Sequence, residues 1–292
     1  MATLWPGGAR GCICLTFDNL GEAAEIELGA STEADAGDHF TATEVVPELL
    51  DHLAEHKLPA TFFVEGLNTR LYPDTLKSID TAGHEIAYHA WRHEDWRSLD
   101  AAEQTANLER GIAAFRELGI EISGLRPPGG ALGEGGTGVM REAGLPYCSP
   151  AGAGAGVDAA RGGAGGAAGV IALLPFQWRH VDASCLLPPL APVREQMTGS
   201  PDPIDPAGFV DYLSSEIDRL RTEGGYLSIV LHLYLVHHWL GEESLGHILN
   251  KLSTPQVDGD LWIAPMRDVA SYILEHPDAF INGAVLDPTS WT

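Results

Sequence analysis

Basic residues are scarce in this chain: 17 Lys and Arg stand against 41 Asp and Glu, a formal charge of −24 over 292 residues. Such a surface repels phosphate backbones and anionic headgroups, which argues against nucleic acid and membrane surfaces as partners. Cysteine is sparse as well. Cys12, Cys14, Cys148 and Cys185 have neither CxxC spacing nor the density of a disulfide scaffold, and they read as buried structural thiols. No apolar run reaches the roughly 18 to 20 residues that span a bilayer. The start, MATLWPGGARGCICL, has no basic segment leading into a long apolar one. These absences predict a cytoplasmic protein with no membrane partner, and nothing in the sequence specifies an oligomeric state.

Apolar residues, by contrast, make up 45% of the chain and fall in short runs. GCICLTFD, ATFFVEG and HEIAYHA alternate with the amphipathic stretches TEVVPELLDHLAEHK, PDTLKSIDTAG and AAEQTANLERGIAAFRELG. A β-α repeat of this kind predicts a parallel sheet covered by helices. The pattern continues through GLRPPGG, PYCSPAG, VIALLPFQW and YLSIVLHLYLV without a break in composition. That favours one α/β barrel-like domain over residues 1–292 rather than two nucleotide-binding halves. The acidic stretch 20–40 is expected as a long loop at the end of the first strand. AGAGAGVDAARGGAGGAAG, at about 151–169, is expected as a flexible low-complexity loop, and PMRDVASYILEH as a closing helix.

Chemistry concentrates at predicted strand ends. Asp18 closes LTFD, Arg126 closes GLR, and His232 sits in SIVLHLY. His89 and His93 lie four residues apart in YHAWRHEDW, a spacing that on a helical turn aligns two imidazoles for one divalent metal. In a parallel barrel the carboxyl ends of all strands meet on one face, so these groups are candidates for a single site. Trp91, Trp96, Trp178 and Trp239 lie near the motifs, either as a sugar-stacking platform or as packing.

Taken together, TFDN, HEIAYHAWRHEDWRSL, LRPPGGA and SIVLHLY resemble the ordered motifs of the polysaccharide deacetylase family, also called the NodB homology or carbohydrate esterase 4 family. The resemblance implies a distorted (β/α)7 barrel of NodB type and metal-dependent hydrolysis of an N-acyl bond, with zinc as the expected divalent ion. It implies Asp18 as general base, His89 and His93 as metal ligands with Asn19 at the third ligand's position, Arg126 as the residue that holds Asp18, Asp182 as a support, and His232 as general acid.

Three departures from the family's pattern stand out. Asn19 replaces the second aspartate of the strand motif and brings a carbonyl without charge, so the metal is held less tightly, or Asp18 turns to ligate and leaves the base to Glu22 or Glu25, or the barrel is a binding module. Ala90 stands where the family has Ser or Thr. Third, no export signal is visible, which sets a small cyclic amide or ureide beside an N-acylated carbohydrate as substrate.

Overall fold

Every residue of the first strand is buried, as both faces of a covered parallel strand must be. The chain is described by a computed structural model over residues 5–159 and 169–287. In chain order its strands there are β1 Gly11–Asp18, β2 Thr61–Val64, β3 Glu85–Tyr88, β4 Gly124–Leu125, β5 Tyr147–Cys148, β6 Gly152–Ala153, β7 Gly156–Ala159, β8 Val170–Leu173, β9 Gly225–His232, β10 Leu261–Ile263 and β11 Val285–Leu286.

The order β9-β1-β2-β3-β4-β5-β8 is parallel at every pairing. Beyond β8 the chain bridges Ala151 through Phe176 and β9 through Val181–Val230, which curls the sheet back on its first edge. This is the expected distorted (β/α)7 barrel. β10 pairs with the first residues of β1, and β7 adds an antiparallel edge to β8.

Alternation along β1 separates two layers. Ile13, Leu15 and Phe17 pack outward with Leu49, Leu53, Leu213 and Ile217 of the surrounding helices. Cys12 and Cys14 face inward, packed with Phe63, Ala87, Tyr147 and Ala172. All four cysteines are free and buried, as expected. The closing helix Met266–Glu275 adds Val269, Ala270 and Ile273 to that inner cluster. Its first turn is tied to the starts of β2 and β3, where Met266 N donates to Thr61 Oγ1 and Arg267 N to Glu85 Oε2, both at 2.9 Å. The helix therefore plugs the amino-terminal mouth, and the opposite mouth is left for chemistry.

Two expectations about loops need correction. The Gly/Ala-rich segment is ordered sheet as far as residue 159: β6 pairs with β11, and β7 with β8. A Cβ at Gly156 would lie 2.5 Å from the backbone nitrogen of Ala284, so glycine serves close backbone approach there rather than flexibility. Residues 160–168 of the segment lie outside the described residues. The acidic stretch after β1 contains a short helix, Ala23–Glu27, and is pinned by Glu22, whose carboxylate accepts from Tyr72 Oη at 2.5 Å and Gly37 N at 3.0 Å. Among the described residues no helix is long and apolar enough to cross a membrane.

Candidate active site

Arg126 is the hub of the carboxyl-terminal mouth. It is 1% exposed, and nearly all of its donors are satisfied from distant strands. Nη1 donates to Asp18 Oδ1 at 2.7 Å and Thr16 Oγ1 at 2.8 Å; Nε and Nη2 reach Ser149 Oγ, and Nη2 also reaches Ser228 Oγ at 3.3 Å. Its guanidinium lies 4.0 Å from the centre of the Phe63 ring. Buried without this network, the cation would cost several kcal/mol.

Asp18 is oriented by that arginine, with its second oxygen, Oδ2, 3.9 Å from His89 Nε2. Burial raises its pKa, and the opposing pull of Arg126 and His232 does not cancel the rise. A carboxylate shifted this way is a better base near neutrality.

His89 Nδ1 lies 2.8 Å from the Arg126 carbonyl, so it carries the proton and donates, and Nε2 keeps its lone pair. Burial pushes the pKa of His89 far down, and desolvation with nearby His232 brings that of His93 to about 4. Both rings are thus neutral, the form that binds metals. Their centroids are 4.9 Å apart, edge to face. The expected helical turn between them is absent: Ala90 (φ 64°) and His93 (φ 71°) adopt left-handed backbone instead. Gly66 N and Leu67 N, in the turn after β2, donate to the carbonyls of Ala90 and Trp91 and hold this loop.

Asn19, also left-handed at φ 62°, has a buried side-chain oxygen with no hydrogen-bond donor. Among the described residues no three His, Cys, Asp or Glu side chains form a metal cluster. The donor set that fits a divalent ion is therefore two neutral imidazoles and the orphaned amide oxygen of Asn19. Glu22 is committed to Tyr72 and Gly37, and Glu25 lies at the surface 3.5 Å from His39. Neither is placed as a replacement base.

Asp182, fully buried, gives both oxygens to the end of β9. Oδ1 accepts from His232 Nδ1 and Ala183 N, each at 2.6 Å, and Oδ2 accepts from His232 N at 2.7 Å. Burial works against a charged His232, but the Asp182 carboxylate outweighs it and the pKa is raised. The His232 side chain keeps 15% exposure, so it meets solvent or substrate. Asp18 and His232 are paired residues in the β1–β9 register.

The structure thus brings Asp18, Asn19, His89, His93, Arg126, Asp182 and His232 to one mouth. Of the tryptophans, Trp91 and Trp96 are packed away, with Arg110 stacked 3.5 Å from the Trp91 ring; Trp178 and Trp239 keep some surface. Sequence reasoning missed Thr16, Ser149 and Ser228, the hydroxyls around Arg126, and it missed Glu65. That residue follows β2 directly, is 0% exposed, and has its pKa pushed up to about 8 by burial, with Asp18 and Glu94 adding to the rise. The signal for it was an acid after the apolar run TFFV, the same form as Asp18 after LTF.

Residues 7–148 match the polysaccharide deacetylase family. A chitooligosaccharide deacetylase of Sinorhizobium fredii is 47% identical over 69 residues, 23% of this chain and 32% of that one. The chain spans less than a third of the length of the first curated relatives it matches. In structure it is similar to a protein of Mycobacterium smegmatis assigned to the polysaccharide deacetylases, with TM-score 0.78, 24% identity, and 97% and 96% of the two chains covered. It is also similar to Puue allantoinase, with TM-score 0.74, 19% identity and 95% of each chain covered. At these identities the two structures speak for the fold. Residues 7–148 of this chain thus carry the match to the polysaccharide deacetylase family, and β8 and β9 complete the barrel that those residues begin.

Proposed function

We propose that the protein is a metal-dependent hydrolase of a non-peptide C–N bond that removes the N-acetyl group from an amino sugar. One observation carries the reading: strand ends distant in sequence converge a buried carboxylate, two neutral imidazoles beside an orphaned amide oxygen, and a carboxylate-paired imidazole. The likeness to a chitooligosaccharide deacetylase supports an N-acetylated sugar as substrate.

In this reading Asp18 Oδ2 takes the proton of the attacking water while Arg126 holds Oδ1 and keeps the carboxylate in place. His232, paired with Asp182 through Nδ1, presents Nε2 and returns a proton to the departing amine, without which nitrogen leaves poorly. A divalent ion, zinc by the preference of imidazole donors, would be held by His89, His93 and Asn19, and when bound would polarise the acyl carbonyl and acidify water.

Zinc-loaded protein is expected to release acetate from N-acetylglucosamine oligomers. Asp18→Asn is expected to lose roughly 100-fold or more of that rate while still binding zinc, because it removes a base and not a ligand. Ring opening of cyclic amides without acetate release would reassign the substrate to small amides. Zinc binding with no turnover on either panel would overturn the hydrolase reading in favour of a binding module.

A further inference from the structure

Tyr234 lies just beyond His232, the last residue of β9, and its ring centre is 5.5 Å from that imidazole, with the planes tilted by 59°. The ring packs, with Trp178 and Trp239, on an apolar floor of buried side chains that includes Phe176, Val181 and Leu235, and all three aromatics are only half-buried. The hydroxyls of Tyr72, Tyr88 and Tyr147 donate within the protein, to Glu22, Asn107 and Glu85. That of Tyr234 meets no hydrogen-bond partner among the described residues. Burial, with the charges of Asp182 and Asp18 adding to it, raises its pKa, so the phenol keeps its proton and remains a donor. Asp182 already accepts from His232 and Ala183, and Asp18 Oδ1 from Arg126.

We infer that Tyr234 is a specificity residue of the site, its hydroxyl donating to a hydroxyl oxygen of the sugar ring that carries the amide. The inference rests on the N-acetyl amino sugar reading above. In that reading His232 faces the departing nitrogen, so a donor beside its ring meets the part of the substrate bonded to that nitrogen. In an amino sugar this part is a ring with oxygens on the carbons next to the one that bears nitrogen, whereas a simple cyclic amide has no hydroxyl there to accept. The half-open rings of Trp178 and Trp239 suit the same partner, since the C–H face of a sugar packs on an aromatic ring while its edge takes donors. A packing role accounts for the ring of Tyr234 and not for its hydroxyl. Phenylalanine would fill the same place on the apolar floor, and a half-buried donor with no partner gives up hydrogen bonds to water for nothing.

The test compares wild type with Tyr234→Phe, which removes the hydroxyl and keeps the ring. Acetate release from N-acetylglucosamine oligomers gives kcat and KM. N-cyclohexylacetamide, an N-acetylated ring without hydroxyls, gives an inhibition constant against that reaction, and a thermal melt of each protein reports folding. A hydrogen bond made alike in the ground and transition states shows in KM rather than kcat. The KM of Tyr234→Phe is therefore expected to rise about 3- to 10-fold, the net worth of one neutral hydrogen bond, with Tm and the inhibition constant of N-cyclohexylacetamide unmoved. An unchanged KM, a lowered Tm, or a rise in KM matched by an equal loss of affinity for N-cyclohexylacetamide would overturn the inference alone, the last by assigning the hydroxyl to the amide group. A wild type that releases no acetate from the oligomers would overturn the N-acetyl amino sugar reading along with it.

Discussion

Both oxygens of Asp182 are taken at the β9 terminus, where they fix one tautomer of His232 and raise its pKa. An acid that must be protonated sets the alkaline limb of a rate profile. Asp182→Asn is therefore expected to move the alkaline limb of kcat/KM to lower pH and to cut kcat by roughly 100-fold or more, since a carboxylate that orients a catalytic histidine is worth about that much or greater. A pH profile of acetate release checks it, and an unmoved limb would assign the proton to another group. Asp18, His89, Arg126 and His232 were legible in the sequence because each closes or follows an apolar run. Glu65 has the same form, but a lone acid after a strand reads as a surface residue until its burial is known.

The loop from His89 to Trp96 shows why element type is harder to read than element order. Spacing of four residues fits a helical turn, but the carbonyls of Ala90 and Trp91 are claimed by Gly66 and Leu67 in the turn that follows β2. The left-handed backbone at Ala90 and His93 is strain held by that pairing, of order 1 kcal/mol each. Behind the loop stands the helix Ala101–Glu117. Asp100 accepts from Ala102 N and Glu103 N while Glu103 returns a bond to Asp100 N, a complete capping box. Gln104, in its first turn, donates to the carbonyls of Trp96 and Leu99. Asp100→Ala is expected to cost about 1 kcal/mol of stability, seen as a lower Tm, and to loosen the loop enough to weaken zinc binding. Denaturant and zinc titrations measure the two effects.

For the molecule as a whole, buried carboxyls shape the pH dependence of stability. Burial raises Glu65 to about 8 and Glu85 to about 7, both above the ordinary 4.5 of an unfolded chain. A raised folded pKa contributes stability that is complete below about 4.5 and is lost as pH climbs through 7 and 8. His89 and His93 act oppositely, because their depressed pKa values, about 4 for His93, remove stability as pH falls below 6.5. The metal-free protein is thus expected to lose stability as pH rises from 6.5 to 8. The loss is on the order of 1 kcal/mol per pH unit for each carboxyl that keeps its proton only in the folded chain, and Glu65→Gln and Glu85→Gln each flatten the fall. Calorimetric Tm across that range measures it; a flat wild-type curve would count against the buried assignments.

The order of strands and helices, the inward and outward faces of β1, and the chemical groups delivered to the strand ends are all consequences of short-range periodicity, and so they can be read along the chain. Partnership is different. Arg126 finds Thr16 at 110 positions' distance and Ser228 at 102, and Glu65 lies against Leu20, 45 positions away. Whether a carboxylate is buried, paired or left with an orphaned oxygen depends on which distant segments the barrel closes around it, and no local pattern of residues encodes that closure.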